Sequence, residues 1–307
     1  MVAEMTITSL TSLTATRAVL AVILSTVFFS SMHGAIRHLS ADLHPFVIAF
    51  FRNVFGLLVI VPWFVRDGIG LLKTSKMGLH AARALVNTAA MLTFFYSLSI
   101  TPLTTVTALA FSAPIFATVL AMLVFREAVG WRRWTAILVG FVGCLIVLRP
   151  GFVDVGLGPI LVLIAAFAWA TVLSIIKVLG RTESSVTITA YMSLLMAPLS
   201  LIPALLFWQT PSGDQVLWLI GLGIAGGLGQ LLMAEALRLG DTSLVMPFDF
   251  FKLVWATLIA WTFFRESPDL YTWIGGAVIF ASTLYIAMRE RHNGAASPAT
   301  PATAIKG

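Results

Sequence analysis

Charge is what this sequence has least of. Only 10% of its 307 residues are Asp, Glu, Lys or Arg, where a water-soluble domain carries about a quarter. With 59% hydrophobic residues and a mean hydropathy of +0.98, one soluble core cannot bury so much apolar surface. It needs lipid as its solvent. Cysteine is nearly absent. The single thiol, Cys144, lies in an apolar run and is read as a small packing residue; one thiol makes no internal disulfide and no metal cluster. No Gly-rich phosphate loop of the Walker type is present, so the chain does not hydrolyse ATP by itself. No His-Glu-x-x-His, cysteine cluster or serine-hydrolase elbow is present either. These absences predict no cofactor, no metal and no enzyme chemistry, and leave a solute gradient or coupled ions as the driving force. The net charge of +6 would hint at nucleic acid in a soluble protein. Here the basic residues sit between apolar runs, so they are read as membrane topology and no nucleic-acid partner is expected.

What is present is a repeat. Tyr96–Glu127 shifted by 139 lands on Glu235–Glu266. Phe111 falls on Phe250, Ala117-Thr118 on Ala256-Thr257, Phe125-Arg126-Glu127 on Phe264-Arg265-Glu266, and Trp134 on Trp273. Apolar segments match by composition alone, but a Phe-Arg-Glu triplet and a Trp held in ungapped register do not.

Ten apolar runs approach the ~20 residues a spanning helix needs: 18–37, 45–65, 80–98, 103–125, 132–148, 157–178, 186–208, 216–237, 243–264 and 270–288. The first is read as a retained span, not a cleaved signal peptide. With the N-terminus in the cytoplasm, fourteen of the nineteen Lys and Arg fall inside and three outside (Arg37, Arg149, Arg265); Arg52 and Lys252 lie within spans. That split places both termini in the cytoplasm. Five spans per repeat is odd, so the second repeat enters the membrane from the other side. Inverted repeats are the architecture of secondary transporters, with a midplane site that opens to each side in turn. The expected organisation is a cytoplasmic segment 1–17, repeats over 18–149 and 156–290, and a disordered tail, 291–307.

The layout resembles the EamA-type family of the drug/metabolite transporter superfamily. The resemblance covers about residues 18–290. It rests on the two five-span repeats, on Arg-Glu followed by Trp at 126–134 and 265–273, on Arg52, on Pro102-Leu103 with Pro114, and on Arg149-Pro150-Gly151. It implies a small-molecule substrate moved across a bacterial inner membrane by alternating access. It also implies a cavity lined by the first, third, fourth, sixth, eighth and ninth spans, with the fifth and tenth at the periphery. Members move amino acids, nucleotide sugars, vitamins and polyamine-like compounds, and the leading expectation is an amino-acid exporter.

Polar residues inside spans are costly and mark candidate sites. Asp249 and Lys252 are three apart, on one helix face. They make either a self-neutralising pair in a polar interior or a cavity pair that holds the two charges of a zwitterion. The matching positions in the first repeat are Ala110 and Ala113. Gln230, His33, Asn87, Tyr96, Phe111, Ser112, Trp169, Tyr191 and Phe248 complete the expected cavity set. His33 is either a proton-coupling group or a neutral core residue; a coupling proton would use it, Asp249 or Glu235. Arg52 is read as structural, with Asp42 or Glu266 as possible partners. Glu235 and Arg238 read as a surface pair or an inner gate, and Arg126, Glu127, Arg265 and Glu266 as structural or gate residues at helix ends. The rival of the same fold is an uptake carrier for a vitamin, a nucleoside-like cofactor or a related solute. Rivals of other classes are a membrane-embedded enzyme, which lacks a ligand cluster, and a channel, which lacks a continuous polar stripe.

Overall fold

The computed structural model describes residues 2–125, 131–150, 156–179, 182–183, 185–239, 245, 248–267 and 269–295. The helices are α1 (Val2–Leu39), α2 (Pro45–Gly56), α3 (Val61–Asp67), α4 (Met77–Ile100), α5 (Leu103–Ala110) and α6 (Ala113–Phe125) in the first part. They continue as α7 (Trp131–Leu148), α8 (Leu157–Leu179), α9 (Ser185–Leu206), α10 (Gly213–Leu239), α11 (Phe251–Phe264) and α12 (Leu270–Ala295). No strand occurs among the described residues. A helix falls on each of the ten apolar runs. By length and composition alone, five are apolar enough to cross a membrane: Thr16–Leu39, Leu103–Leu120, Leu157–Ile176, Thr187–Leu206 and Gly213–Met233. Pro45–Val59, Trp134–Leu148, Phe251–Phe264 and Leu270–Ile286 are shorter.

Two ends differ from expectation. The first helix starts at Val2, because no Gly or Pro interrupts residues 2–33. Helix α12 continues to Ala295, so residues 291–295 of the expected disordered tail are helical. The rest of that tail lies outside the described residues.

The repeats are inverted in space. Equivalent helices α7 and α12 pack antiparallel. Ser282 Oγ donates to the Ala136 carbonyl near one end. Near the other, a Cβ on Gly275 would meet the Gly143 carbonyl at 2.7 Å and Val147 Cγ2 at 2.5 Å. Glycine at this crossing lets the two backbones touch. The other equivalent pair also runs antiparallel, since Glu266, just past α11, accepts from the backbone N–H of Leu103 at the start of α5 (3.3 Å). The same carboxylate pairs with Arg37 at 2.7 Å, and Arg37 donates to the Leu98 carbonyl at 3.0 Å. One carboxylate thus ties the ends of α1, α4, α5 and α11. The remaining pairings exchange under the repeat: α1 packs on α10, α4 on α8, and α2 on α9.

The fourth span is broken. Pro114 has no N–H to give back to the turn before it, so α5 stops at Ala110 and α6 restarts at Ala113. The carbonyl of Phe111, in that gap, accepts from Thr283 Oγ1 of α12 at 3.1 Å. In the second repeat, Phe250 (the residue equivalent to Phe111) stands outside α11 as its N-cap. The break therefore recurs at the same repeat position, and the two rings meet with centroids 5.8 Å apart.

Candidate functional site

A cavity of about 470 Å³ opens where these breaks face each other. It lies within the ~300–1,000 Å³ typical of small-molecule sites. From α5 and α6 it takes Thr107, Ala110, Phe111, Ala113 and Pro114, and from the ninth span Asp249 and Lys252. Lys252 Nζ is 2.6 Å from Asp249 Oδ1, an ion pair made without a directed hydrogen bond on that oxygen. Lys252 also lies over the Phe29 ring, 5.0 Å from its centroid. Ser30 Oγ donates to the Lys252 carbonyl (3.1 Å), and Trp255 Nε1 donates to Thr26 Oγ1 (3.1 Å). These bonds hold α1 against α11 and fix the height of the pair.

Polar groups enter from several helices. Gln230 and Met233 reach in from α10, His33 and Phe29 from α1, and Arg52 from α2. Arg52 Nη1 donates to Asn53 Oδ1 (3.1 Å), and its Nη2 reaches Gln230 Oε1 at 3.5 Å. Asn53 is held in turn by Ser200 Oγ (3.0 Å) and the Met196 carbonyl (3.4 Å). The rest of the lining is aromatic and soft, and it touches these groups: Gln230 Nε2 lies 3.6 Å from Met192 Sδ. Phe94 stacks edge-on to His33 (5.1 Å) and packs on Trp169 (4.9 Å). Met91, Met192 and Met196 complete this wall. Asn87 lies there too, with its Nδ2 3.1 Å from Met196 Sδ.

Of the residues expected to line a cavity, Asp249, Lys252, Gln230, His33, Asn87, Phe111 and Trp169 do so. Four lie elsewhere. Tyr96 sits by the His44 and Phe46 rings at 6.3 and 6.4 Å. Tyr191 points to the other end, donating to the Leu72 carbonyl (2.6 Å) and stacking on His80 (4.4 Å). Ser112 is buried in the helix break, and Phe248 packs with Ala18, Val22, Ala236 and Val245. Arg52, expected to be structural and near Asp42 or Glu266, lines the cavity instead; Arg37 takes Glu266. Arg265 is exposed, in the left-handed conformation (φ 54°) that ends α11. Glu235 is in α10, off the cavity lining, as is the backbone of Arg238. Arg126 and Glu127 lie outside the described residues. The lining also extends beyond the expected spans. The second contributes Arg52, the seventh Met192 and Met196, and the tenth Phe280, Thr283 and Leu284. Phe280 gets there by packing on Phe250 (4.5 Å) behind the break. The methionines carried no polarity signal in the sequence.

The sequence pattern of the EamA-like transporter family matches residues 16–149 and, a second time, 156–288. The chain belongs to the EamA-like transporter family. It is 33% identical over 269 residues to the S-adenosylmethionine uptake transporter of Rickettsia bellii, across 88% of this chain and 92% of that one. It is 35% identical over 246 residues to the riboflavin transporter of Vibrio cholerae serotype O1, across 79% and 83%. A crystal structure with 18% identity and a TM-score of 0.58, covering 92% of this chain and 99% of its own, has the same fold. This EamA-like chain is a multi-pass transporter of a bacterial membrane, and not an enzyme. The relatives named above give no support to amino-acid export and favour the uptake alternative.

Proposed function

We propose that this transporter takes up a nucleoside-like cofactor, a planar heteroaromatic group joined to a charged tail, by alternating access between its two inverted repeats. The observation that carries the reading is the mixed lining of one cavity, in which Asp249, Lys252, Arg52 and Gln230 occur together with Phe94, Trp169 and Met91. Aromatic and thioether surface suits a flat polarizable ring. The charged groups suit a zwitterionic tail. A free amino acid matches only the second half, which argues against the export expectation. The riboflavin transporters among the relatives make a vitamin with a flat ring the second reading. The antiparallel equivalent helices, whose breaks meet at one cavity, support alternating access. The Lys and Arg distribution supports ten crossings with both termini in the cytoplasm.

The test is uptake into liposomes holding the purified protein. Labelled S-adenosylmethionine, riboflavin and a mixed amino-acid pool are offered separately, with a pH gradient switched on or off. Saturable S-adenosylmethionine uptake supports the reading. Movement of amino acids alone overturns it. A response to the gradient assigns proton coupling, with His33 and Asp249 as the groups to substitute. Single cysteines along α11 in a Cys144-free chain label from one side at a time in a carrier. Simultaneous labelling from both sides would make it a channel.

A further inference from the structure

We propose that Arg52 is an anion-binding residue of the central cavity, and that the cargo presents a carboxylate to its guanidinium. The cargo's identity rests on the cofactor-carrier reading; the anion site rests on geometry alone.

Among the described residues, the charged side chains lining the cavity are Asp249, Lys252 and Arg52. Lys252 and Asp249 cancel at 2.6 Å. Arg52 has no carboxylate partner among the described residues. Its partners are the neutral oxygens of Asn53 and Gln230, the latter at the limit of a hydrogen bond at 3.5 Å. An unbalanced charge within a membrane span is costly; Arg37 meets that cost with Glu266 at 2.7 Å and the buried Arg83 with the Ile188 carbonyl at 2.8 Å, whereas Arg52 has only side-chain amide oxygens. Counted over the described residues, the cavity wall therefore carries one surplus positive charge, which a ligand anion cancels.

The guanidinium is also placed for the task. A Cβ on Gly226 of α10 would stand 3.1 Å from Arg52 Nε and 3.2 Å from Nη2. Helix α10 is thus bare where the planar group lies against it. Asn53, itself anchored to Ser200, fixes one end of the group. Two of the guanidinium nitrogens bond protein oxygens, which leaves further donors of the five-donor fork without a protein acceptor among the described residues. A fork of this shape matches a carboxylate in a bidentate pair, as an ammonium does not. A single surplus charge balances a carboxylate, whereas a phosphate dianion would ask for a second cation. A carboxylate-binding Arg52 separates the cargoes named for the relatives, because S-adenosylmethionine has a carboxylate and riboflavin has none.

Two measurements on the full-length protein test it. The first is thermal unfolding in detergent with 3-phenylpropionate or its neutral amide. The acid is expected to raise the midpoint and the amide to leave it unchanged, with Arg52→Gln responding to neither and Arg52→Lys giving a reduced response. The second is competition against labelled S-adenosylmethionine uptake by its decarboxylated form. The analogue should compete at least ~10-fold more weakly in the wild type, and that ratio should collapse in Arg52→Gln, since an unmet buried charge costs this much or more. Equal responses to acid and amide, or an acid response that survives Arg52→Gln, overturn the proposal. If Arg52→Gln does not fold, the wild-type contrast and Arg52→Lys decide. An acid-specific response without S-adenosylmethionine uptake keeps the anion site and removes the cofactor reading.

Discussion

The fourth and ninth spans put the same backbone feature to two uses. Both are interrupted at equivalent residues, Phe111 and Phe250, and both present the residues around the gap to one cavity. The first repeat offers Ala110 and Ala113 there, and the second offers Asp249 and Lys252. The contrast recurs one helix earlier, where Met91 of α4 and Gln230 of α10 occupy equivalent lining positions. Duplication thus supplies a symmetric frame, which alternating access requires. Divergence of a few side chains puts Asp249, Lys252 and Gln230 on the second repeat where the first has Ala110, Ala113 and Met91, while Arg52 and His33 of the first repeat have no charged or imidazole counterpart in the second. A symmetric cavity would bind a cargo equally well in two opposed orientations, and an asymmetric one fixes a single orientation.

The largest effect expected comes from breaking the charged pair on one side only. Asp249→Ala leaves Lys252 unpaired. It should abolish uptake and lower stability by about 2 kcal/mol, less than the 3–5 kcal/mol of a fully buried pair because both side chains keep some exposure. Asp249→Ala/Lys252→Ala removes both charges and should recover most of that stability without recovering uptake. Thermal unfolding and flux on the same preparations check both statements. Adding Ala110→Asp and Ala113→Lys to the double variant moves the pair to the other repeat. If uptake returned at the wild-type rate, the two halves would be interchangeable and the asymmetry argument would fail.

Much of this frame was legible in the sequence. The ungapped register located the repeat, and the three-residue spacing placed Asp249 and Lys252 on one face. Polarity alone went less far. It says that Tyr96, Ser112 and Tyr191 deserve scrutiny, but not which neighbour each meets. Tyr191 found a backbone carbonyl at the far end of the bundle and Ser112 a helix gap. Arg52 misled in the opposite direction. Its long side chain carries the charge away from its own helix to α10, and sequence spacing does not record that reach. The methionines of the soft wall left no trace either, because a methionine facing a cavity and one facing lipid read alike.

A second comparison lies where α7 crosses α12. Position 143 is glycine in the first repeat, and its equivalent in the second is Ser282. A Cβ on Gly143 would lie 2.8 Å from Ile279 Cγ1, 2.9 Å from the Ile279 nitrogen and 3.0 Å from the Gly275 carbonyl. Two of those neighbours are backbone and cannot step aside. Gly143→Ala should therefore cost about 2 kcal/mol from overpacking, read as a lower unfolding midpoint. Next to it, Thr283 has Cys144 as its equivalent. Thr283 satisfies the Phe111 carbonyl at the helix break. Thr283→Val should cost about 1 kcal/mol, and Thr283→Cys, which copies the first repeat, should recover little of it, because a thiol is a weak donor. A midpoint unchanged in Thr283→Val would mean that the break needs no outside partner.

The smallest effect belongs to the join between repeats. Asp269 accepts from the Thr272 backbone N–H (2.8 Å) at the start of α12 and pairs with Arg149, whose guanidinium lies 4.7 Å from the Tyr271 ring centroid. Burial pushes the Asp269 carboxyl up, but the bonds from Thr272 and the charge of Arg149 outweigh it and hold the group below its ordinary value. A carboxyl lowered in the folded state adds stability above its unfolded-state pKa, and that stability is lost as pH falls through the folded value. Asp269→Asn should therefore lower the unfolding midpoint slightly near neutral pH, and the gap to wild type should close below about pH 4. The side chain is 38% exposed, so solvent and salt screen the pair, and raising the ionic strength should shrink the same gap. A difference that persisted in acid would assign Asp269 a steric role at the helix start in place of a charged one.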